Sequence, residues 1–268
     1  MREVLQKRYN VTVTGHGTQP LVLAHGFGCD QHMWRYIAPA FEADYKVVRF
    51  DYIGHGKQAP DTYNAERYST LHGYAQDILD ICHALELTDV ILVGHSVSSM
   101  IGLLACLAEP TLFHRLIMIG PSPCYINDGE YWGGFDREDI NELLATLDGN
   151  FLGWANTFGP VIMGNPDQPE LGQELTASFC QTNPQIALQL ARVTFYGDNR
   201  ADLPRLRVPS LIIQAQQDVI APLQVGEYVA RHTPKSTLAV IEATGHCPHL
   251  SAPRPTIEAI REYLLTVN

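Results

Sequence analysis

A serine between glycine, histidine and small residues is the first group in this sequence that could do chemistry. Ser96 stands in Gly94-His-Ser-Val-Ser98, after the apolar, β-branched run 90–93 and before the small and apolar run 97–108. This order predicts a strand, a sharp turn and a helix, with Ser96 at the apex beside the helix N-terminus. A serine in that position can act as a nucleophile if a base reaches its hydroxyl.

Serine nucleophiles also need a histidine that takes the hydroxyl proton and a carboxylate that orients the histidine. Asp218 ends the run 211–217, just past a predicted buried strand, and His246 follows the run 238–245, again just past a strand. Each side chain would project from the same edge of the sheet as Ser96. The chain order Ser, Asp, His is that of the α/β-hydrolase arrangement.

His249 is a second candidate for the base. We favour His246, because it directly follows a glycine at a strand end, whereas His249 comes three residues later and follows Pro248. A metal site of His246, Cys247 and His249 is disfavoured, since no carboxylate or further ligand lies close by in sequence. We therefore expect neither a metal nor a cofactor.

Stabilising the developing oxyanion requires two backbone N–H groups. We expect one from Val97, directly after the nucleophile, and the other from Phe27 in the loop His25-Gly-Phe-Gly28. The alternative for that loop is a flexible turn with a packed phenylalanine, and a Phe27 that supplies its N–H can also wall a pocket. Ser98 stands where the usual G-x-S-x-G pattern has a glycine for close helix–strand approach, and serine is small enough to replace it.

The elements that position these residues alternate along the chain. Strands are predicted at 8–14, 20–24, 45–50, 90–93, 116–119, 210–214 and 238–241, and helices at 71–85, 97–108, 223–231 and 256–266. Asp30 is expected to cap a further helix, which carries on one face Met33, Trp34, Ile37 and Phe41. The run Asp51-Tyr-Ile-Gly-His-Gly56 is interpreted as a structural turn. Alternating strands and helices predict an α/β, mostly parallel, doubly wound sheet covered on both faces.

Residues 124–195 break this alternation, because they contain no convincing strand pattern. Four helical patterns are predicted at about 136–148, 150–163, 168–181 and 184–196, the last starting at Asn183-Pro184. A helical stretch inserted between two strands predicts a cap over the strand ends at which ligands bind. We therefore assign residues 1–122 and 197–268 to the core and residues 123–196 to an inserted four-helix cap.

An apolar stripe in the second cap helix indicates a pocket roof. Phe151, Trp154 and Phe158 follow one another at i, i+3 and i+7, so this face is expected to be shared between packing and the pocket. Further candidates for the lining are Tyr125, Phe135, Leu143 and Phe195. Substrates would then be small and largely apolar, with one carbonyl presented to Ser96.

Composition bounds the function classes. The 268 residues are 46% hydrophobic, enough for one core with an inserted subdomain. A net charge of −11 without basic clusters disfavours nucleic acid and anionic membranes as partners. No apolar run approaches the roughly 20 residues of a membrane span. The charged N-terminus lacks a signal-peptide segment, and the six cysteines contain no CxxC pair, so we expect free thiols in the cytoplasm.

Several motifs resemble one branch of the α/β hydrolases, which comprises bacterial RsbQ and the plant strigolactone and karrikin receptors. The motifs are Gly94-His-Ser-Val-Ser98, His25-Gly-Phe-Gly-Cys-Asp-Gln31, Ser122-Pro-Cys-Tyr-Ile-Asn-Asp128, Gly133-Gly-Phe135 and Gly245-His-Cys-Pro-His-Leu-Ser251. The resemblance covers nearly the whole chain, cap included. It is closest to RsbQ, although Ser98 matches the plant form, since RsbQ has glycine there.

The resemblance implies a Ser96–Asp218–His246 triad under a V-shaped four-helix cap. It further implies a pocket lined by Phe27, Phe135, Trp154, Phe158, Phe195, Val219 and Ile220. For the bacterial form it implies signalling, upstream of a PAS-domain phosphatase that activates the general stress sigma factor. For the plant form it implies slow hydrolysis of butenolide ligands, with the conformational result passed to partners.

Two functions from different classes follow. The first is a serine hydrolase of a small, largely apolar ester or lactone, with an RsbQ-like regulatory role. The second is a ligand-binding signalling receptor with slow or incidental hydrolysis. Haloalkane dehalogenases and epoxide hydrolases are disfavoured, because they have Asp at the position of Ser96. Cofactor-free haloperoxidases and carbon–carbon bond hydrolases have the serine, so the sequence does not exclude these two classes.

Overall fold

The computed structural model describes residues 7–55 and 63–266. The strands are β1 Thr12–Thr14, β2 Pro20–Ala24, β3 Lys46–Arg49, β4 Val90–His95, β5 Phe113–Ile119, β6 Ser210–Gln217 and β7 Ser236–Thr244. The α-helices are α1 Leu71–Ala84, α2 Val97–Ala108, α3 Arg137–Gly149, α4 Phe151–Met163, α5 Pro169–Gln181, α6 Pro184–Phe195, α7 Leu223–His232, α8 Pro248–Ser251 and α9 Pro253–Thr266. The N-terminal segment 1–6 and Gly56 of the predicted turn lie outside the described residues.

The seven strands form one sheet in the order β1-β3-β2-β4-β5-β6-β7. Only β1 is antiparallel among these strands, and the other neighbours pair in parallel. Strand β4 is buried along its whole length, as continuous apolar runs in parallel sheets are. Apolar clusters cover both faces of the sheet. A mostly parallel sheet covered on both faces is the α/β-hydrolase fold that the sequence predicts.

Four α-helices lie between β5 and β6, and all four were predicted to within a residue or two. Three of the four starts have a side-chain cap. Asp136 and Asp139 form a capping box at α3, Asn150 accepts the N–H of Gly153 at α4, and Asn183 accepts two N–H groups at α6. We call this insertion, α3 to α6, the cap. Its boundary residues stay a prediction.

The helix predicted after Asp30 is wrong. Asp30 does accept the N–H of His32 at 2.7 Å, but two short 3₁₀-helices follow, Gln31–Trp34 and Ala38–Ala40. Pro39 explains why no α-helix continues through this segment, because it lacks the backbone N–H that would bond the carbonyl four residues earlier. Trp34 and Ile37 are nevertheless fully buried, so the apolar face predicted there does pack into the core.

Several predicted strand lengths also change. The first strand is only Thr12–Thr14, shorter than the predicted 8–14, and Tyr9 just before it is fully buried. Strands β6 and β7 are longer than predicted. Their ends near the site include polar, exposed residues, which a prediction from apolar runs leaves out. All six cysteines are free, with Cys180 exposed and the others buried. None of the helices within 7–55 and 63–266 combines the length and apolar character needed to cross a membrane.

A buried carboxylate holds α1 to the chain segments that precede it. Asp77 is fully buried and accepts hydrogen bonds from the hydroxyls of Tyr9 at 2.9 Å and Tyr68 at 2.8 Å. Arg67 donates to the same carboxylate at 2.6 Å. Because α1 packs directly against α2, the helix that follows Ser96, this network supports the scaffold of the serine turn.

We expect Asp77→Ala to lower the free energy of unfolding by about 3 kcal/mol, because it leaves two buried hydroxyls without their acceptor and removes the buried carboxylate that binds Arg67. The matched control is Asp80→Ala. The Asp80 carboxylate binds the same Arg67 at 2.8 Å but is 30% exposed, so its loss should cost less than about 1 kcal/mol. Urea unfolding measures both, and equal costs would contradict the role given to Asp77.

Candidate active site

The turn after β4 presents Ser96 on a strained backbone. Ser96 has φ +56° and ψ −124°, a conformation that residues with a side chain rarely adopt. Its N–H donates to the carbonyl of Ile119 on the neighbouring strand at 2.8 Å, which holds the turn in place. A side chain at Gly94 would come within 2.3 Å of the Ser98 carbonyl, so only glycine lets α2 fold back this tightly.

The ends of β6 and β7 bring a carboxylate and an imidazole to this turn. His246 Nε2 lies 2.7 Å from Ser96 Oγ, and His246 Nδ1 lies 2.7 Å from Asp218 Oδ2. All three residues are buried. The arrangement suits an imidazole that carries its proton on Nδ1 and accepts the serine hydroxyl at Nε2.

The carboxylate of Asp218 is itself held by the loop after β6. Its Oδ1 accepts the N–H of Ile220 at 2.8 Å and that of Ala221 at 3.0 Å. These bonds stabilise the negative charge and fix the carboxylate plane, and they leave Oδ2 for the histidine. Asp218 can therefore orient His246 without a further side chain.

The main chain of His246 is bound on two sides. Its N–H donates to the carbonyl of Ile162 in cap helix α4 at 2.9 Å. Its carbonyl accepts a bond of 2.7 Å from Nε2 of His95, the residue just before the serine. The base is thus fixed by the cap on one side and by the serine turn on the other.

The two N–H groups predicted for an oxyanion hole lie at the same end of the sheet. Val97 is the first residue of α2, where an N–H has no acceptor within the helix. The N–H of Phe27 makes no hydrogen bond with any described residue. Nearby, His25 accepts the N–H of Tyr52 at Nε2 and bonds the carbonyl of Gly26 through Nδ1, and burial lowers the pKa of its imidazole. A neutral His25 with a fixed tautomer therefore shapes the loop that carries Phe27.

Ser98 does more than replace a small glycine. Its hydroxyl donates to the carbonyl of His25 at 2.5 Å and accepts the hydroxyl of Tyr52 at 3.0 Å. These bonds join the helix after Ser96 to the loop before Phe27 and to the turn after β3. The predicted structural turn at Asp51 takes part as well, since its carboxylate accepts the N–H of Gln31 at 2.7 Å.

An apolar cavity of about 160 Å³ opens over Ser96 and His246. All nine residues predicted for the pocket border it, namely Phe27, Tyr125, Phe135, Leu143, Trp154, Phe158, Phe195, Val219 and Ile220. Phe27, Trp154 and Phe179 contact one another edge-on or tilted, with ring centroids 5.2–5.9 Å apart. Tyr125 adds a hydroxyl that interacts with Ser96, and burial raises the pKa of this phenol, so it stays a neutral donor.

The sequence analysis missed part of the lining. The missed residues are Cys29, His95, Val161, Ile162, Leu175, Phe179, Thr194 and Cys247. A signal for α5 was present, because Leu171, Leu175 and Phe179 follow at i, i+4 and i+8, the same kind of stripe that identified α4. Cys29, His95 and Cys247 had no such signal, since each lies in a loop or at a strand end next to a residue singled out for another reason.

The second candidate base, His249, makes no hydrogen bond with Ser96, which is bonded to His246 instead. It is fully buried, packs against Trp34 with the rings tilted and their centroids 4.9 Å apart, and contacts the ring of His95. Burial, with His246 and Arg35 nearby, lowers the pKa of His249 to about 3. Among the described residues the group that could hold a metal is His95, Cys247 and His249, which differs from the disfavoured set with His246.

Comparisons with known proteins agree with this geometry. The model of the alpha/beta hydrolase family matches residues 21–259. The Karrikin insensitive 2 receptor CA of Petunia hybrida is 38% identical over 262 residues, 97% of each chain. The strigolactone esterase RMS3 of Pisum sativum is 40% identical over 247 residues, 91% of this chain and 92% of that protein.

A solved hydrolase structure is similar to this chain over the whole fold. A hydrolase from Oleispira antarctica superposes with a TM-score of 0.96 at 40% identity, covering 99% of this chain and 98% of that one. The family model covers well over half of the chain, and the relatives named as esterases or hydrolases match nearly all of it. The chain therefore belongs to the alpha/beta hydrolase family and is a hydrolase.

Proposed function

We propose that this protein is a serine hydrolase of small, largely apolar carboxylic esters or lactones. Ser96 is the nucleophile, His246 the general base and acid, and Asp218 the carboxylate that orients His246. The observation that carries the proposal is the continuous hydrogen-bonded series Ser96–His246–Asp218, with both bonds 2.7 Å long, at the floor of an apolar cavity. We place the protein in the cytoplasm, because six free cysteines suit a reducing compartment.

The chemistry follows from the positions of these groups. Ser96 Oγ attacks the substrate carbonyl while His246 Nε2 takes its proton, and the N–H groups of Phe27 and Val97 receive the oxyanion. His246 then returns the proton to the leaving oxygen, which gives an acyl-enzyme. Water, deprotonated by His246, hydrolyses the acyl-enzyme and restores the serine. For a lactone, the leaving alcohol stays attached to the acyl group.

The cavity supports a small substrate. Its volume of about 160 Å³ is close to that of an engineered cavity of about 150 Å³ that holds benzene. Its walls are aromatic and aliphatic side chains, several of them from the cap, and the polar groups are concentrated at Ser96, His246 and Tyr125. We propose that residues 123–196 act as a cap that closes the site and selects substrates by size.

A regulatory role is the second part of the proposal. Relatives with 38–40% identity over most of the chain are named as receptors or as strigolactone esterases. The motifs shared with RsbQ, Gly245-His-Cys-Pro-His249 and Ser122-Pro-Cys-Tyr125, favour an RsbQ-like stress-signalling form whose partner is a PAS-domain phosphatase. Retention of such a phosphatase on the immobilised protein tests this role. Fast turnover of simple esters with no retained partner would argue for a metabolic hydrolase instead.

We expect Ser96→Ala to reduce aryl-acetate hydrolysis by at least about 10³-fold, because it removes the hydroxyl that lies 2.7 Å from His246 Nε2 and forms the acyl-enzyme. Labelling by a serine-directed organophosphonate should disappear together with turnover. Stopped assays and intact-protein mass spectrometry measure the two effects. Ser69→Ala, which changes an exposed serine, serves as the control and should keep both. Undiminished turnover in Ser96→Ala would overturn the mechanism.

Substrate size should be set by Leu143, which borders the cavity from α3. We expect Leu143→Ala to raise the ratio of kcat/KM for aryl hexanoate to that for aryl acetate by about tenfold, because the removed side chain makes room for a longer acyl group. Its neighbour Leu144 is 4% exposed but does not border the cavity. Leu144→Ala is therefore the matched control, and an equal rise in that variant would contradict the cap-limited pocket.

A further inference from the structure

Three buried side chains with metal-binding atoms meet directly behind the serine turn. One ring nitrogen each of His95 and His249 and Sγ of Cys247 all lie within 4.8 Å of one another. The three residues are between 0% and 2% exposed. They come from the end of β4 and from the loop and short helix after β7, so the fold, and not a local sequence motif, brings them together.

Hydrogen bonds within the described residues do not satisfy all the ring nitrogens of the two histidines. Neither ring nitrogen of His249 has a partner among the described residues, although the ring is fully buried. His95 uses Nε2 for the carbonyl of His246, and its Nδ1 has no described partner. A buried polar group left without a partner costs about 1–3 kcal/mol, so such groups need an explanation, and a bound ion is one of the few available.

The site also has a route to solvent. His95 and Cys247 both border the cavity over Ser96, so an ion that enters the cavity meets two of the three ligands at its wall. Two imidazoles and one thiolate are the ligand set that suits Zn²⁺, which prefers nitrogen and sulfur in a tetrahedron. A water or an anion from the cavity can complete the fourth position.

We propose that His95, Cys247 and His249 form a zinc-binding site whose occupation switches the hydrolase off. On binding, a Zn²⁺–Sγ bond forms, the S–H bond of Cys247 breaks, and its proton leaves to solvent. The two histidines bind as neutral imidazoles, so one ion releases one proton. No redox change accompanies the step.

Inhibition follows from the contraction that zinc demands. Tetrahedral zinc with nitrogen ligands at about 2.0–2.1 Å and sulfur at about 2.3 Å needs ligand atoms about 3.4–3.6 Å apart, whereas these atoms spread over up to 4.8 Å. Cys247 directly follows His246, and His95 directly precedes Ser96 and bonds the carbonyl of His246. A displacement of about 1 Å in a catalytic group can cost about 10²-fold in rate.

Binding is tested first, without reference to activity. The full chain in a Cys180→Ser background, which removes the exposed thiol, is stripped with a chelator and titrated with Zn²⁺ against a chromophoric chelator. We expect one ion and one released proton per chain. Co²⁺ in place of Zn²⁺ should give a thiolate-to-metal charge-transfer absorption, which reports the sulfur ligand in a protein with the whole site intact. Absence of stoichiometric binding, or binding without that absorption, would overturn the site.

Variants then locate the ion. Cys247→Ser should abolish the charge-transfer absorption and weaken zinc binding at least tenfold, and His249→Gln should weaken it similarly. Cys106→Ser, an equally buried cysteine in α2, is the matched control and should bind as the parent does. If His249→Gln fails to fold, the Cys247→Ser and Cys106→Ser pair and the cobalt spectrum still decide. Binding that survives Cys247→Ser contradicts the assignment.

The inhibitory part rests on the proposed function, so it is measured separately. Saturating zinc should lower aryl-acetate hydrolysis about 100-fold in the parent, reversibly on chelation. Stoichiometric binding with full hydrolysis would overturn the switch and leave the proposed function intact. Lack of hydrolysis in the metal-free protein would count against the proposed function and not against the zinc site.

Discussion

The backbone turn at Ser96 is the constraint on which the rest of the site depends. A residue with a side chain is held there at φ +56°, which costs about 1–3 kcal/mol. The turn persists because the surrounding structure over-determines it. Ser96 bonds across to β5, and Ser98 is bonded to the loop before Phe27. The strain places one hydroxyl above the sheet edge and brings the start of α2 under it.

Parallel topology turns this local constraint into a site. The carboxyl ends of β4, β6 and β7 lie along one edge, so Ser96, Asp218 and His246 meet although 28 and 150 positions separate the bonded pairs in the chain. The main chain also holds these groups in place. Two backbone N–H groups donate to Asp218, and the main chain of His246 is bonded to the Ile162 carbonyl and to the His95 imidazole. The site is thus made mainly of strand ends and tight loops, and the cap supplies most of its apolar walls.

Much of this arrangement could be predicted from the sequence. The chain order Ser, Asp, His and its repeated position just past apolar runs predicted which side chains would meet, because strand ends in a parallel sheet share an edge. Helical spacing predicted the cap helices and, through the stripe in α4, Trp154 and Phe158 of the cavity wall, whereas Val219 and Ile220 came from the family resemblance. These signals depend on spacing or on position after an apolar run, so they can be recognised in the sequence without knowledge of the fold.

Other features could not be predicted, for physical reasons. Pro39 divides the segment after Asp30 into two 3₁₀-helices, because one proline outweighs a regular apolar pattern. The hydrogen bonds of Ser98 depend on how closely α2 approaches the loop at His25, which spacing does not report. The grouping of His95, Cys247 and His249 joins residues about 150 positions apart, and no pairwise pattern in one sequence encodes that distance.

The bond from the His246 N–H to the Ile162 carbonyl has a thermodynamic consequence. Because α4 holds the main chain of His246, two equilibria are linked. One is between a cap that makes this bond and a cap that has moved away from it, and the other is between an ordered and a disordered His246. A molecule that binds better to the cap in contact with His246 therefore also increases the fraction of chains with an ordered base. Reciprocally, an adduct that displaces His246 must weaken the contact between this residue and α4. A reaction at the site therefore changes how firmly the cap is held, and the cap forms part of the outer surface of the protein.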